Sequence, residues 1–176
     1  MRERLMQATS GTLTPEELSW RIRHDDSNEM RLRRGVVVAS IVGMASMALV
    51  SLLQTGLVRR LPEPHTRRPR FDTRKVNSSR EAFSYGMPDG PITMATHAAN
   101  LMIAAAGPPN RYRDKPWIPV AATLFSGAQA AVAAKYLFYQ MPYVDRAWCP
   151  YCVVDAVAHF TTFALTAPEA VKALRG

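Results

Sequence analysis

The two cysteines of this 176-residue chain stand three positions apart, in Trp148-Cys149-Pro150-Tyr151-Cys152. Thiols at that spacing can close into a small-loop disulfide and reopen, the property a redox carrier needs. Pro150 suits the first turn of a helix, where its missing N–H loses nothing. A helix that begins at the pair brings the first sulfur near unpaired backbone N–H groups and the positive end of the helix dipole, which makes Cys149 the natural attacking sulfur. Plain packing of two small side chains is the competing use.

Asp155 and His159 follow one and two turns below Cys152. At about 100° per residue, Cys149, Cys152, Asp155 and His159 share an arc of about 120° on one helix face. No metal is expected there, because four ligands from one helix cannot surround an ion. A thioredoxin or glutaredoxin fold uses the same tetrapeptide but needs alternating strands, and the chain has no convincing period-two segment. A second polar stripe, Thr93, Thr96, His97 and Asn100, lies in another apolar segment. Ionisable groups inside a bilayer are costly and face the bundle interior, so His97, Asn100, Asp155 and His159 are candidates for binding a polar-headed, greasy-tailed molecule such as a quinone. The alternative is that these four side chains hydrogen-bond one another and pin the helices together.

The elements that must position these residues are apolar and long. Residues 35–58 carry no charge across 24 positions, and about 20 apolar residues cross a bilayer core. The run is too long, and starts too late, for a signal peptide. Further spans are expected over 90–107, 119–139 and 147–167, giving an all-α, four-transmembrane-helix bundle at 35–176 behind a polar, partly helical N-terminal segment at 1–34. The later segments are rich in small residues, which allow close helix packing. Trp117, Tyr139, Tyr143 and Trp148 fall where interfacial aromatics belong, and Lys135 is placed to snorkel. In the polar head, Thr14-Pro15-Glu16-Glu17 marks a helix start, and Leu18 and Ile22 give that helix an apolar side.

The formal net charge is +8, yet the basic residues border apolar segments and no nucleic-acid recognition motif accompanies them. Lipid headgroups and topology explain them better, so a membrane-lipid partner is expected and nucleic acid is not. Twelve basic residues on the side of the termini face nine on the other. That balance leans toward a cytoplasmic N-terminus in a bacterial-type inner membrane.

The chain resembles the vitamin K epoxide reductase family from about Gly35 to Ala167. The resemblance rests on span order, on Val76-Asn77-Ser78-Ser79 followed by Phe83-Ser84-Tyr85-Gly86-Met87-Pro88, and on Trp148-Cys149-Pro150-Tyr151-Cys152. It implies four helices around a quinone (menaquinone or ubiquinone), with Cys152 facing the quinone and Cys149 exchanging electrons with a loop pair. Three positions depart from the pattern. The loop Phe71-Asp72-Thr73-Arg74-Lys75-Val76 has no cysteine, Ala156 replaces a tyrosine, and Asp89 stands near where some members place an asparagine. The expected function is therefore a membrane thiol–quinone oxidoreductase fed by an outside dithiol or thioredoxin-like protein. The rival is a non-catalytic subunit of a larger, bioenergetic membrane complex.

Overall fold

Thr14 starts the first helix as its residues predict. Its Oγ1 accepts from the Glu17 N–H at 3.2 Å while the Glu17 carboxylate accepts from the Thr14 N–H at 3.1 Å, a reciprocal capping box over α1 (Pro15–His24). The computed structural model describes residues 13–66 and 70–175; the polar head before residue 13, and Arg67 and Arg68 of the basic loop, lie outside the described residues. After α1 come α2 (Asn28–Gln54), the short α3 (Thr73–Asn77), α4 (Asp89–Ala105), the single turn α5 (Arg111–Asp114), α6 (Trp117–Lys135) and α7 (Pro150–Leu174). Wider π-helical turns continue α6 over Tyr136–Asp145 and stop at Arg146, which takes a left-handed φ of 51°. No strand occurs among the described residues, and Phe71 and Trp148 form an isolated parallel bridge.

Helix ends differ from the apolar runs because a cap, not a hydropathy boundary, starts a helix. Ser27 caps α2 by accepting from the Met30 N–H, so the helix begins seven residues ahead of the uncharged run. Gly56, at φ 78°, lies just beyond its last turn. At the other terminus α7 runs through Pro168 to Leu174 instead of stopping near Ala167. Lys135 places its ammonium on the Glu81 carboxylate at 2.6 Å.

Helix α2 packs against both α4 and α7, and α7 packs against α6, whereas α4 and α6 touch only sparsely. The order around the bundle is thus α4, α2, α7, α6, with a gap between its first and last members. Among the described residues two helical stretches, Asn28–Gln54 and Trp117–Asp145, are long and apolar enough to cross a membrane. Polarity runs inside out relative to a soluble bundle. Val38 and Leu124 are 62% and 71% exposed, with Met102, Val132 and Val157 also outward. Buried within are His97, Asn100, Ser126, Gln129, His159, Thr162 and Glu169.

Candidate thiol site and cavity

Cys149 is the N-cap of α7, and its Sγ accepts from the Cys152 N–H at 3.1 Å. The first sulfur thus sits on the free N–H groups of the helix start. A second element reaches both sulfurs. Asn77, the last residue of α3, donates from Nδ2 to Cys149 Sγ at 3.3 Å, and its Oδ1 accepts from Cys152 Sγ at 3.6 Å. One amide therefore bridges the pair, with Cys149 as the receiving sulfur and Cys152 as the donor. Asn77 is held in turn by its Nδ2 contact to the Thr73 carbonyl at 2.8 Å. Both cysteines are free thiols.

The loop between α2 and α4 lies over Cys149. Trp148 donates to the Arg70 carbonyl and accepts from the Asp72 N–H, each at 2.9 Å. Tyr151 ties its hydroxyl to the Pro62 carbonyl at 2.7 Å, and the Glu63 carboxylate accepts from the Thr73 N–H at 2.8 Å. Beneath that strap Cys149 is 0% exposed, packed with Met47, Val50, Val76 and Met141. Cys152 is only part-buried and opens onto a cavity of about 350 Å³. That volume falls in the range of small-molecule sites.

The cavity fills the gap between α4 and α6. Ile92, Thr93 and Thr96 form one wall, Phe125, Gln129 and Val132 another, and Cys152, Asp155 and His159 the floor along α7. Asp89 is another lining residue, accepting from Gln54 Nε2 at 2.7 Å and from the Tyr136 hydroxyl at 2.9 Å. Ala156 also lines it, leaving open the room a larger side chain would take.

His97 and Asn100, two of the four residues expected to bind a ligand, do not line this cavity. Asn100 turns away and donates to Gln129 Oε1 at 2.7 Å. It faces a much smaller void, of about 10 Å³, shared with Arg33, Arg111 and Glu169. His97 sits fully buried behind the cavity floor, its Nε2 2.8 Å from Asp155 Oδ1. His159 Nε2 lies 3.6 Å from the other carboxylate oxygen, and the two imidazoles stack at 4.1 Å with planes 12° apart. Helix α2 allows this because of Gly43: a Cβ there would lie 2.2 Å from His97 Nε2. The expected mutual pinning thus holds for His97, Asp155 and His159, and not for Asn100.

Against known families, the model of the vitamin K epoxide reductase family matches residues 35–167. The chain belongs to that family. Neither the curated proteins nor the solved structures compared with it gave a match. Membership suggests a membrane protein with a thiol oxidoreductase-type function, and members of the family act with quinones. The residues present fit such a group. Gln129 Nε2 is buried at the cavity wall with no partner in the protein, a donor suited to a carbonyl oxygen. The walls around it are mainly apolar. Asn77 and Gln129 were not among the candidates read from the sequence. The signals were there, an amide inside the Val76-Asn77-Ser78-Ser79 element and a lone glutamine in an alanine-rich segment, but neither residue type announces a redox role.

Proposed function

We propose that this family member is a membrane thiol–quinone oxidoreductase whose four long helices all cross a bacterial-type cytoplasmic membrane, with the N-terminus in the cytoplasm. One observation carries the reading: a single amide, Asn77, holds both sulfurs, and one of them, Cys152, opens onto a ligand-sized cavity. Apolar outward faces on α2, α4, α6 and α7 support the membrane placement, since a soluble bundle buries those side chains. A bound quinone, menaquinone or ubiquinone, supplies a two-electron, two-proton acceptor. Gln129 would hold its head, while the sparse α4–α6 seam lets an isoprenoid tail reach lipid. Cys152 is the sulfur facing that acceptor, and Cys149 exchanges with the reductant.

The reductant is an external dithiol protein of thioredoxin-like chemistry, because the loop over Cys149 carries no cysteine of its own. The strap over Cys149 must lift for that exchange, releasing the ties through Tyr151 and Trp148. A second reading, a non-catalytic subunit docked in a larger membrane complex, is favoured by the complete burial of Cys149. The test is reconstitution with quinone and a reduced dithiol or thioredoxin-like protein, following quinol formation by wild type and Cys152→Ala. Turnover by wild type that vanishes in the variant supports the enzyme. No turnover with any dithiol, together with partner subunits copurifying in fixed ratio, overturns it in favour of the subunit.

A further inference from the structure

The fold places two histidines from different helices on one carboxylate, directly behind the cavity floor. Asp155 offers one oxygen to His97 at 2.8 Å and the other to His159 at 3.6 Å. Asp155 and His159 line the cavity, and His97 is sealed behind them at 0% exposure. Each imidazole also has an Nδ1 that is buried without a protein partner. Three such groups in the interior of a bundle are expensive to keep. A purely structural pin needs only one neutral pair, so the second histidine is left over.

The three groups also meet the distance requirement for a metal, their ligand atoms lying within 4.8 Å of one another. Ring orientation argues against it. Imidazole lone pairs lie in the ring plane, and planes stacked at 4.1 Å and 12° cannot both aim at one ion. A carboxylate flanked by two imidazole nitrogens is suited to hold and pass a proton.

Position gives that proton a use. His159 lies seven residues beyond Cys152, about 10 Å further along α7. A ring with one edge at Cys152 therefore has its far side directed toward Asp155 and His159. Resting on the thiol–quinone reading above, we propose that Asp155 and His159 are catalytic proton donors to the acceptor oxygen remote from the sulfurs, with His97 the positioning residue that keeps Asp155 loaded. The step balances. Closing the Cys149–Cys152 bond removes two electrons and two protons from the thiols, and a quinone takes up both electrons and two protons. The cluster gives one proton to the remote oxygen and regains one released by the thiols. The other titratable groups around this cavity are Cys152 on α7, Asp89 on α4, Glu81 and Tyr85 in the turn before it, and Lys135 and Tyr136 at the end of α6. Helix α2 presents Gly43 to His97.

Two measurements test it. The first needs no quinone: 15N-histidine NMR of the full chain in nanodiscs, recorded for wild type and Asp155→Asn. The Nε2 signals of His97 and His159 are both expected to move in Asp155→Asn, because one carboxylate faces both rings. Histidine signals that are identical in wild type and variant would overturn the proposal. So would a stoichiometric transition metal that copurifies with wild type and is lost in Asp155→Asn. The second is single-turnover thiol oxidation by a short-chain quinone. Asp155→Asn is expected to slow it about 100-fold and flatten its pH profile, with quinone affinity within about twofold of wild type. His97→Gln is expected to shift the profile while leaving affinity intact. A slow variant whose deficit is wholly lost quinone affinity counts against the proton role. Should wild type itself form no quinol, the redox reading falls, and the NMR comparison still decides whether the three groups act as one unit.

Discussion

The two ends of the bundle are built on opposite plans. At the end away from the cysteines, charges are buried and fully paired. Arg111 donates to Glu169 through Nε at 2.9 Å and Nη2 at 2.7 Å, and its remaining nitrogen meets the carbonyls of Ile103 and Ala106. Arg33 lies beside it and donates to the carbonyls of Ala104, Ala106, Gly107 and Pro108, closing the open end of α4. The void there is about 10 Å³, room for about one water. At the cysteine end no arginine is buried among the described residues, and polar groups are left open instead. A single amide bridges two sulfurs beside a cavity of about 350 Å³, with Gln129 Nε2, His97 Nδ1 and His159 Nδ1 unpartnered in the protein. The difference teaches a division of labour. The satisfied end fixes helix positions, and the unsatisfied end keeps the polar valences that a ligand can use.

Breaking the paired end should have the largest effect. Glu169→Ala leaves Arg111 buried without its carboxylate, so a loss of about 3–5 kcal/mol is expected. Thermal unfolding in detergent would reveal it, and a melting curve unchanged from wild type would show that the pair is not structural. Next comes Gly43→Ala, where the added Cβ meets His97 at 2.2 Å. Overpacking of that kind costs about 1–3 kcal/mol. Here it should also displace the histidine, so a crystal or NMR structure retaining the His97–Asp155 contact would contradict the account.

Asn77→Ala removes the amide from both sulfurs and should cost about 1–2 kcal/mol. More telling is the expected rise in Cys149 alkylation rate as α3 loosens from the strap; an unchanged rate would mean that the loop alone shields the thiol. Smallest of all, Thr14→Ala removes the α1 cap and should cost about 1 kcal/mol locally. Faster amide exchange is expected over residues 15–24, with α2 onward unaffected. A change in the unfolding of the whole bundle would instead show that α1 is part of the core.

How much of the cysteine end was legible beforehand follows from helix geometry. Cys149, Pro150 and Cys152 predict their own placement because capping is local, and α7 indeed starts at Pro150. Asp155 and His159 follow from the same helix by their spacing. His97 and Asn100 lie on one stripe, yet only His97 reaches Asp155 while Asn100 pairs with Gln129. Spacing gives the side of a helix and not the neighbour it meets. The paired end was less legible. Arg111, counted among the basic residues that border the apolar segments, is 1% exposed and holds a glutamate beyond the expected end of the last span.

The sequence by itself determined the all-helical class, the cap of α1, the start of α7 and the family, because these depend on composition, short-range hydrogen bonding and motif order. Only the tertiary structure decided that α4 and α6 stand apart around a cavity, that Asn77 joins the two sulfurs, and that Gly43 admits His97 to Asp155. Each of these is a contact between residues far apart in the chain, fixed by how helices pack and not by the local pattern of any one of them.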